Sequence, residues 1–183
     1  MGNRYLVVAA TAAEAAHVPC DVPLVITGLG KTAAAVETAR ALAAYDDRGG
    51  LTVLNVGTAG ALRDGLTGLH EPGTVLNHDV NADAIRALGY DPQERLDVGE
   101  SGVVLASGDV FVADPAVRAR LAERAHLVDM EGYAVAWAAR AFGVPVRLAK
   151  HVSDNADASA MEWPAMVERS ARELGRWLSA VTS

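Results

Sequence analysis

At 183 residues, with 51% apolar but only 5% aromatic side chains, the chain can bury roughly 70% of the surface its unfolded form exposes, which excludes the disordered and fibrous classes. Sixteen basic against 23 acidic residues give a net charge of -7, and no run of Lys or Arg could neutralise successive phosphates, which excludes nucleic acid as a partner. The single Cys20 cannot form an intrachain disulfide, Leu6 to Ala10 is too short an apolar run for a membrane span, and Met1-Gly2-Asn3-Arg4-Tyr5-Leu6 has Leu6 where a myristoylation signal needs Ser or Thr. The expectation is one domain over residues 1–183, in the reducing cytoplasm, with no membrane contact.

In chain order, the pattern predicts strands at Tyr5 to Ala10 and Pro23 to Thr27, a helix at Lys31 to Tyr45, and strands at Leu51 to Val56, Gly73 to Val80 and Val103 to Ser107. Helices follow at Pro115 to Ala125 and Glu131 to Phe142, then a strand at Val144 to Val152. A last helix, about Trp163 to Val181, carries Val167, Ala171, Leu174, Leu178 and Val181 on one face. The strands are Val- and Leu-rich and apolar at adjacent positions, as in strands buried on both faces. Alternating strands and helices give an α/β fold with a largely parallel sheet, whose functional groups leave the strand ends. Residues 81 to 101, with Asp91-Pro92 and several charges, are expected to form a surface excursion.

Several motifs are only partly present. Gly30-Lys31-Thr32 follows a strand and opens a helix, but a phosphate-binding P-loop needs glycine where Val25 stands. Gly28-Leu29-Gly30-Lys31-Thr32-Ala33 satisfies G-x-G-x-x-A, yet the acid for a dinucleotide ribose should end the next strand, where Asn55 stands. No cofactor is therefore expected. His17, His70, His78, His126 and His151 have no metal-ligand spacing, so no metal is expected either. Gly99-Glu100-Ser101 lacks the closing glycine of a nucleophile elbow, because position 103 is Val.

Three acids remain at the ends of apolar runs: Glu14, Glu131 in Val128-Asp129-Met130-Glu131-Gly132, and Asp154 in Val152-Ser153-Asp154-Asn155. Parallel strand ends converge on one sheet edge, so the three carboxylates could share a cleft. Taken singly, Glu131 could instead favour a helix N-terminus, Asp154 a turn, and Glu14 solvent.

Ser107-Gly108-Asp109-Val110-Phe111-Val112, Val128-Asp129-Met130-Glu131-Gly132-Tyr133-Ala134 and Ser153-Asp154-Asn155-Ala156-Asp157 stand in the order and approximate spacing of the 5'-methylthioadenosine/S-adenosylhomocysteine nucleosidases. Gly28-Leu29-Gly30-Lys31-Thr32-Ala33 and Asn55-Val56-Gly57-Thr58-Ala59-Gly60 are similar to two further segments of that family. The chain thus resembles the nucleoside phosphorylase/nucleosidase superfamily from first strand to last helix. The resemblance implies a nucleoside phosphorylase-like α/β/α fold with a mixed, largely parallel sheet. It also implies an N-glycosyl hydrolase that releases adenine from a 5'-modified adenosine such as 5'-methylthioadenosine or S-adenosylhomocysteine. Asp154 would protonate the purine N7, oriented by Ser153. Glu131 would bind the ribose hydroxyls beside Met130. Phe111 would stack on the base, the Val112 backbone would bond its edge, and Glu14 would position or deprotonate water near Thr58, Ala59 and Gly60. Adenine leaves well once protonated, and the oxocarbenium-like ribose left behind favours nearby negative charge. Asp154 would need a raised pKa to donate near neutrality, and Glu14 would need to accept a proton.

A phosphorylase of this superfamily would carry a glycine-rich first loop and an arginine just before G-T-x-G. This chain has Ala9-Ala10-Thr11-Ala12-Ala13-Glu14, and Asn55-Val56 before Gly57, which favours hydrolysis over phosphorolysis. Family members acting on 6-oxopurines, futalosine hydrolases among them, tend to carry Asn where Asp154 stands, so a 6-aminopurine is expected. A phosphorylase, a futalosine-type hydrolase and a non-catalytic adenine-nucleoside binding protein are the alternatives. The chain departs from the family pattern in a shortened segment between Glu14 and Pro23, a shortened region between Tyr90 and Gly102, and Lys150 where arginine is usual. The resemblance also implies a homodimer, with Asn77-His78-Asp79-Val80 and Leu88-Gly89-Tyr90 near the neighbour's active site.

Overall fold

The computed structural model describes residues 4–157, 160 and 163–183; Met1 to Asn3 of the opening segment lie outside the described residues. Strand β1 (Arg4–Ala9) shows why the apolar runs are continuous. Side chains alternate across a strand. Leu6 and Val8 enter one core layer with Ala34, Leu42, Val135 and Ala139, whereas Val7 and Ala9 enter another with Leu54, Ala149, Leu174 and Leu178. Both faces are covered, so neither can be polar.

Helices α1 (Lys31–Ala43) and α4 (Gly132–Ala141) cover the first face, and α5 (Trp163–Thr182) covers the second. The apolar stripe expected on the last helix is the one that packs: Val167, Ala171, Leu174 and Leu178 are buried and Val181 is half-buried. Helix α3 (Pro115–Ala122) begins at Asp114, whose carboxylate accepts the Ala116 and Val117 N–H groups, with Pro115 in the first turn where no N–H is needed.

The other strands are β2 (Leu24–Ile26), β3 (Leu51–Ala61), β4 (Leu69–His70), β5 (Thr74–Asn77), β6 (Arg95–Asp97), β7 (Val104–Ser107), β8 (Leu127–Asp129) and β9 (Val146–Asp154). They form one nine-stranded sheet in the order β2-β1-β3-β8-β7-β5-β6, with β9 paired to β3 and β4 paired to β9. Pairing is parallel for β1–β2, β1–β3, β3–β9, β5–β7 and β7–β8, and antiparallel for β3–β8, β4–β9 and β5–β6. This is the mixed, largely parallel sheet flanked by helices that the sequence predicts.

Several elements differ from expectation, among them the short β4, which the sequence does not predict. β3 does not stop at Val56 but runs through Gly57-Thr58-Ala59-Gly60, because β9 pairs alongside it up to Asp154. The strand predicted at Gly73 to Val80 is confined to Thr74–Asn77. Residues 81 to 101 are not wholly irregular: they hold helix α2 (Ala82–Ala87) and β6, which pairs with β5. α2 buries none of its residues and β6 buries only Leu96, so neither leaves an apolar period to read.

Candidate active site

The three acids meet in one cleft. It is lined by Glu14, Thr58, Ala59, Gly60, Phe111, Val112, Met130, Glu131, Ser153 and Asp154, which are all the positions that the sequence singled out. Among the described residues Ala10, Leu29, Val110, Val128, Asp129, Ala160 and Trp163 also line it. Apart from the acids the wall is largely apolar, and the titratable residues among the described lining are all acidic: Glu14, Asp129, Glu131 and Asp154.

Glu14 is buried five residues beyond β1. Its Oε1 accepts the Thr58 N–H and the Thr58 hydroxyl, both at 2.8 Å, and its Oε2 accepts the Thr11 N–H at 3.2 Å and hydroxyl at 2.9 Å. Four donors fix the carboxylate in place. The Trp163 indole N–H donates to the Thr58 hydroxyl at 2.7 Å, which ties α5 to the same group. Thr58 can sit there because Gly57 carries no side chain: a Cβ would fall 3.2 Å from Glu14 Oε1 and 3.3 Å from Lys150 Nζ.

Asp154 is the last residue of β9, which runs two residues past the predicted end at Val152. Its Oδ2 accepts the Ser153 hydroxyl at 2.7 Å and its Oδ1 accepts the Ala156 N–H at 2.8 Å. The β3–β9 register slips between Ala59 and Gly60, setting Gly60 opposite Asp154. A Cβ on Gly60 would stand 3.0 Å from Asp154 Oδ1, so the bulge and the missing side chain together make room for the carboxyl.

Glu131 precedes α4 but does not cap it: its side chain makes no cap bond and instead accepts the Gly30 N–H at 2.7 Å across the cleft. Burial and the Asp129 charge push its pKa up from 4.5 to about 7, against the pull of Lys150 and of the Gly30 N–H. The side chain therefore does not act as a hydrogen-bonding cap of α4. Phe111 is 51% exposed at the mouth, while Val112 is buried beneath it.

Behind the lining lies a group that the sequence did not place in the site. Lys150 Nζ pairs with Asp129 Oδ2 at 2.8 Å, with side chains 2% and 1% exposed. Asp129 also accepts the Gly132 N–H at 2.9 Å and the Ser107 hydroxyl. Burial works against the Lys150 charge, but Asp129, Glu131 and Glu14 together raise its pKa. One signal was available: a lysine in the middle of an otherwise apolar strand must find a buried partner. No group of His, Cys, Asp and Glu among the described residues has metal-binding geometry. Among the same residues no helix is long and apolar enough to cross a membrane.

The sheet order and helical layers define a nucleoside phosphorylase-like fold. The structure of a Helicobacter pylori 5'-methylthioadenosine nucleosidase mutant with 5'-methylthioadenosine in its active site superposes with a TM-score of 0.83 at 24% identity, covering 98% of each chain. A Streptococcus pneumoniae MTA/SAH nucleosidase in complex with 8-aminoadenine gives 0.82 at 22% identity over 98% of this chain and 99% of that one. At these identities the likeness is one of fold. The sequence model of the phosphorylase superfamily matches residues 82–183, and the chain belongs to that superfamily. Two curated Helicobacter pylori proteins named aminodeoxyfutalosine nucleosidase are similar in sequence. One is 30% identical over 130 residues, 58% of this chain and 56% of that protein; the other is 38% identical over 81 residues, 43% and 35% respectively. The chain thus spans about half or less of the curated relatives it matches.

Proposed function

We propose that this protein is an N-ribosyl hydrolase that releases adenine from a 5'-modified adenosine. The observation that carries the reading is the convergence of Glu14, Glu131 and Asp154, each held by different partners, on one apolar cleft with Phe111 at its mouth. Asp154, oriented by the Ser153 hydroxyl, is the acid that protonates N7 of the base. Glu131 takes the ribose hydroxyls beside Met130, where its charge favours the developing oxocarbenium ion. Glu14, fixed by Thr11 and Thr58, positions the attacking water near Ala59 and Gly60. Phe111 and the Val112 backbone hold the base. The C1'–N9 bond breaks as N7 gains the Asp154 proton; water adds at C1' and gives up its proton to Glu14, leaving adenine and a reducing pentose.

Hydrolysis is favoured over phosphorolysis because a phosphate dianion would meet only acidic titratable groups among the described lining residues. Lys150, buried behind the lining, is already paired with Asp129. The names of the curated relatives favour an aminodeoxyfutalosine-type nucleoside as a second substrate reading beside 5'-methylthioadenosine and S-adenosylhomocysteine. Exposed Leu88 and Tyr90 are apolar surface that a second copy of the chain would cover in a homodimer. The deciding experiment measures adenine release from those three nucleosides with and without phosphate. Phosphate-independent release with a reducing sugar as co-product is expected. Phosphate dependence with a ribose 1-phosphate product would make the protein a phosphorylase, and binding without release would make it a nucleoside-binding protein.

A further inference from the structure

The Gly28-Leu29-Gly30-Lys31 turn imitates a phosphate loop in sequence, and its Lys31 side chain has no part in the proposed chemistry. Its surroundings show another use. Lys31 Nζ donates to Asn77 Oδ1 at 2.7 Å, pairs closely with Asp79 Oδ1, and lies 3.9 Å from Asp109 Oδ2. The Asp79 Oδ2 accepts the Asp109 N–H at 2.7 Å, and Asp109 Oδ1 in turn accepts the Lys31 N–H at 2.7 Å. The ring is closed: one lysine, two carboxylates and two backbone N–H groups. Lys31 and Asp79 are shielded, with side chains only 18% and 22% exposed, so their charges act at a lower dielectric than a surface pair would.

The ring joins two walls of the cleft. Asp109 begins the stretch Asp109 to Val112 that brings Val110, Phe111 and Val112 to the lining. Gly30, next to Lys31, gives its N–H to Glu131. Gly30 adopts φ 92°, which a side chain rarely tolerates, and a Cβ there would stand 3.0 Å from Asp109 Oδ1. At the root of the loop, the His78 ring lies against Gly108 so closely that any Cβ would collide with it.

We propose that the Gly30-Lys31 turn is a clamp that sets the position of the base-side loop Asp109 to Val112 relative to Glu131, with Lys31 as its positioning residue. The inference rests on the nucleoside reading of the cleft. Without the Lys31 charge, Asp79 and Asp109 face each other uncompensated while still joined by a backbone hydrogen bond. The loop carrying Phe111 then moves away from Glu131, and a nucleoside gains contacts to one wall only by giving up those to the other.

Full-length Lys31→Met, Lys31→Arg, Asp79→Asn and the Lys31→Met/Asp79→Asn double variant test the clamp by adenine calorimetry and by kinetics with 5'-methylthioadenosine. Lys31→Met should raise the adenine Kd and the KM about tenfold or more, with kcat within about threefold of wild type, and Lys31→Arg should restore most of both. The double variant should bind better than Lys31→Met alone, because the amide that replaces the Asp79 carboxylate still accepts the Asp109 N–H but no longer repels the Asp109 carboxylate. A merely structural lysine would instead lower the melting temperature and leave KM alone. Unchanged Kd and KM in Lys31→Met, or a double variant no better than the single one, overturns the clamp. Wild-type protein that binds adenine but releases it from none of the three nucleosides overturns the proposed activity and leaves the clamp to be decided by the Kd values. Wild-type protein that does not bind adenine overturns both.

Discussion

Replacing Glu131 with Gln separates the role of its charge from that of its shape. The amide keeps the carboxylate's size and can still accept the Gly30 N–H, but it cannot ionise. In the folded protein the Glu131 pKa stands at about 7 instead of 4.5, chiefly through burial and then through Asp129. The folded state therefore binds more protons than the unfolded state between those two values, and the linkage contribution of Glu131 is fully present below 4.5 and lost as pH rises through 7. The shift corresponds to about 3 kcal/mol, the ceiling on what the ionised side chain costs the fold above that window. Glu131→Gln should accordingly melt no lower than wild type near pH 5 and up to several degrees higher near about pH 8. Its adenine release should nonetheless fall by about 10²-fold or more, because a neutral amide gives the oxocarbenium ion no negative charge. In wild type, kcat/KM should decline as pH falls through about 7, following protonation of Glu131, and the variant should lack that limb. Adenine release and thermal melts across that range read both effects. A variant with near-normal activity and a lower melting temperature at the alkaline end would refute the reasoning and make Glu131 a structural group.

Asp154→Asn should keep the fold, since the amide oxygen can still accept the Ala156 N–H, yet slow adenine release by about 10²-fold or more, with KM changed less. Residual activity on inosine-type analogues should suffer less; undiminished adenine release by the variant would remove Asp154 as the acid. Lys150→Met should leave Asp129 buried and unpaired and cost about 3–5 kcal/mol in a denaturant titration. Lys150→Met combined with Asp129→Asn should recover part of that loss, and the absence of any recovery would show that the two side chains do not act as a pair.

The chain by itself determined its sheet class and its three principal carboxylates. Strands buried on both faces must be apolar at every position, so the pattern survives without knowledge of neighbours, as in Leu6 to Ala9. Glu14, Glu131 and Asp154 stood out because each interrupts or ends such a run, and their motifs kept a fixed order. Tertiary structure alone decided what each acid touches. Glu131 meets Gly30, 101 residues away, because α1 and α4 lie side by side on one face of the sheet. Lys150 meets Asp129 because β3 runs between β8 and β9, an order that no local period encodes. The bulge at Ala59/Gly60 that sets Gly60 opposite Asp154 is likewise a matter of strand register. Pairing across a sheet is fixed by the whole set of strands competing for neighbours. A sequence therefore shows which groups reach the strand ends, whereas only the assembled sheet decides which of them share a proton, a charge or a cleft.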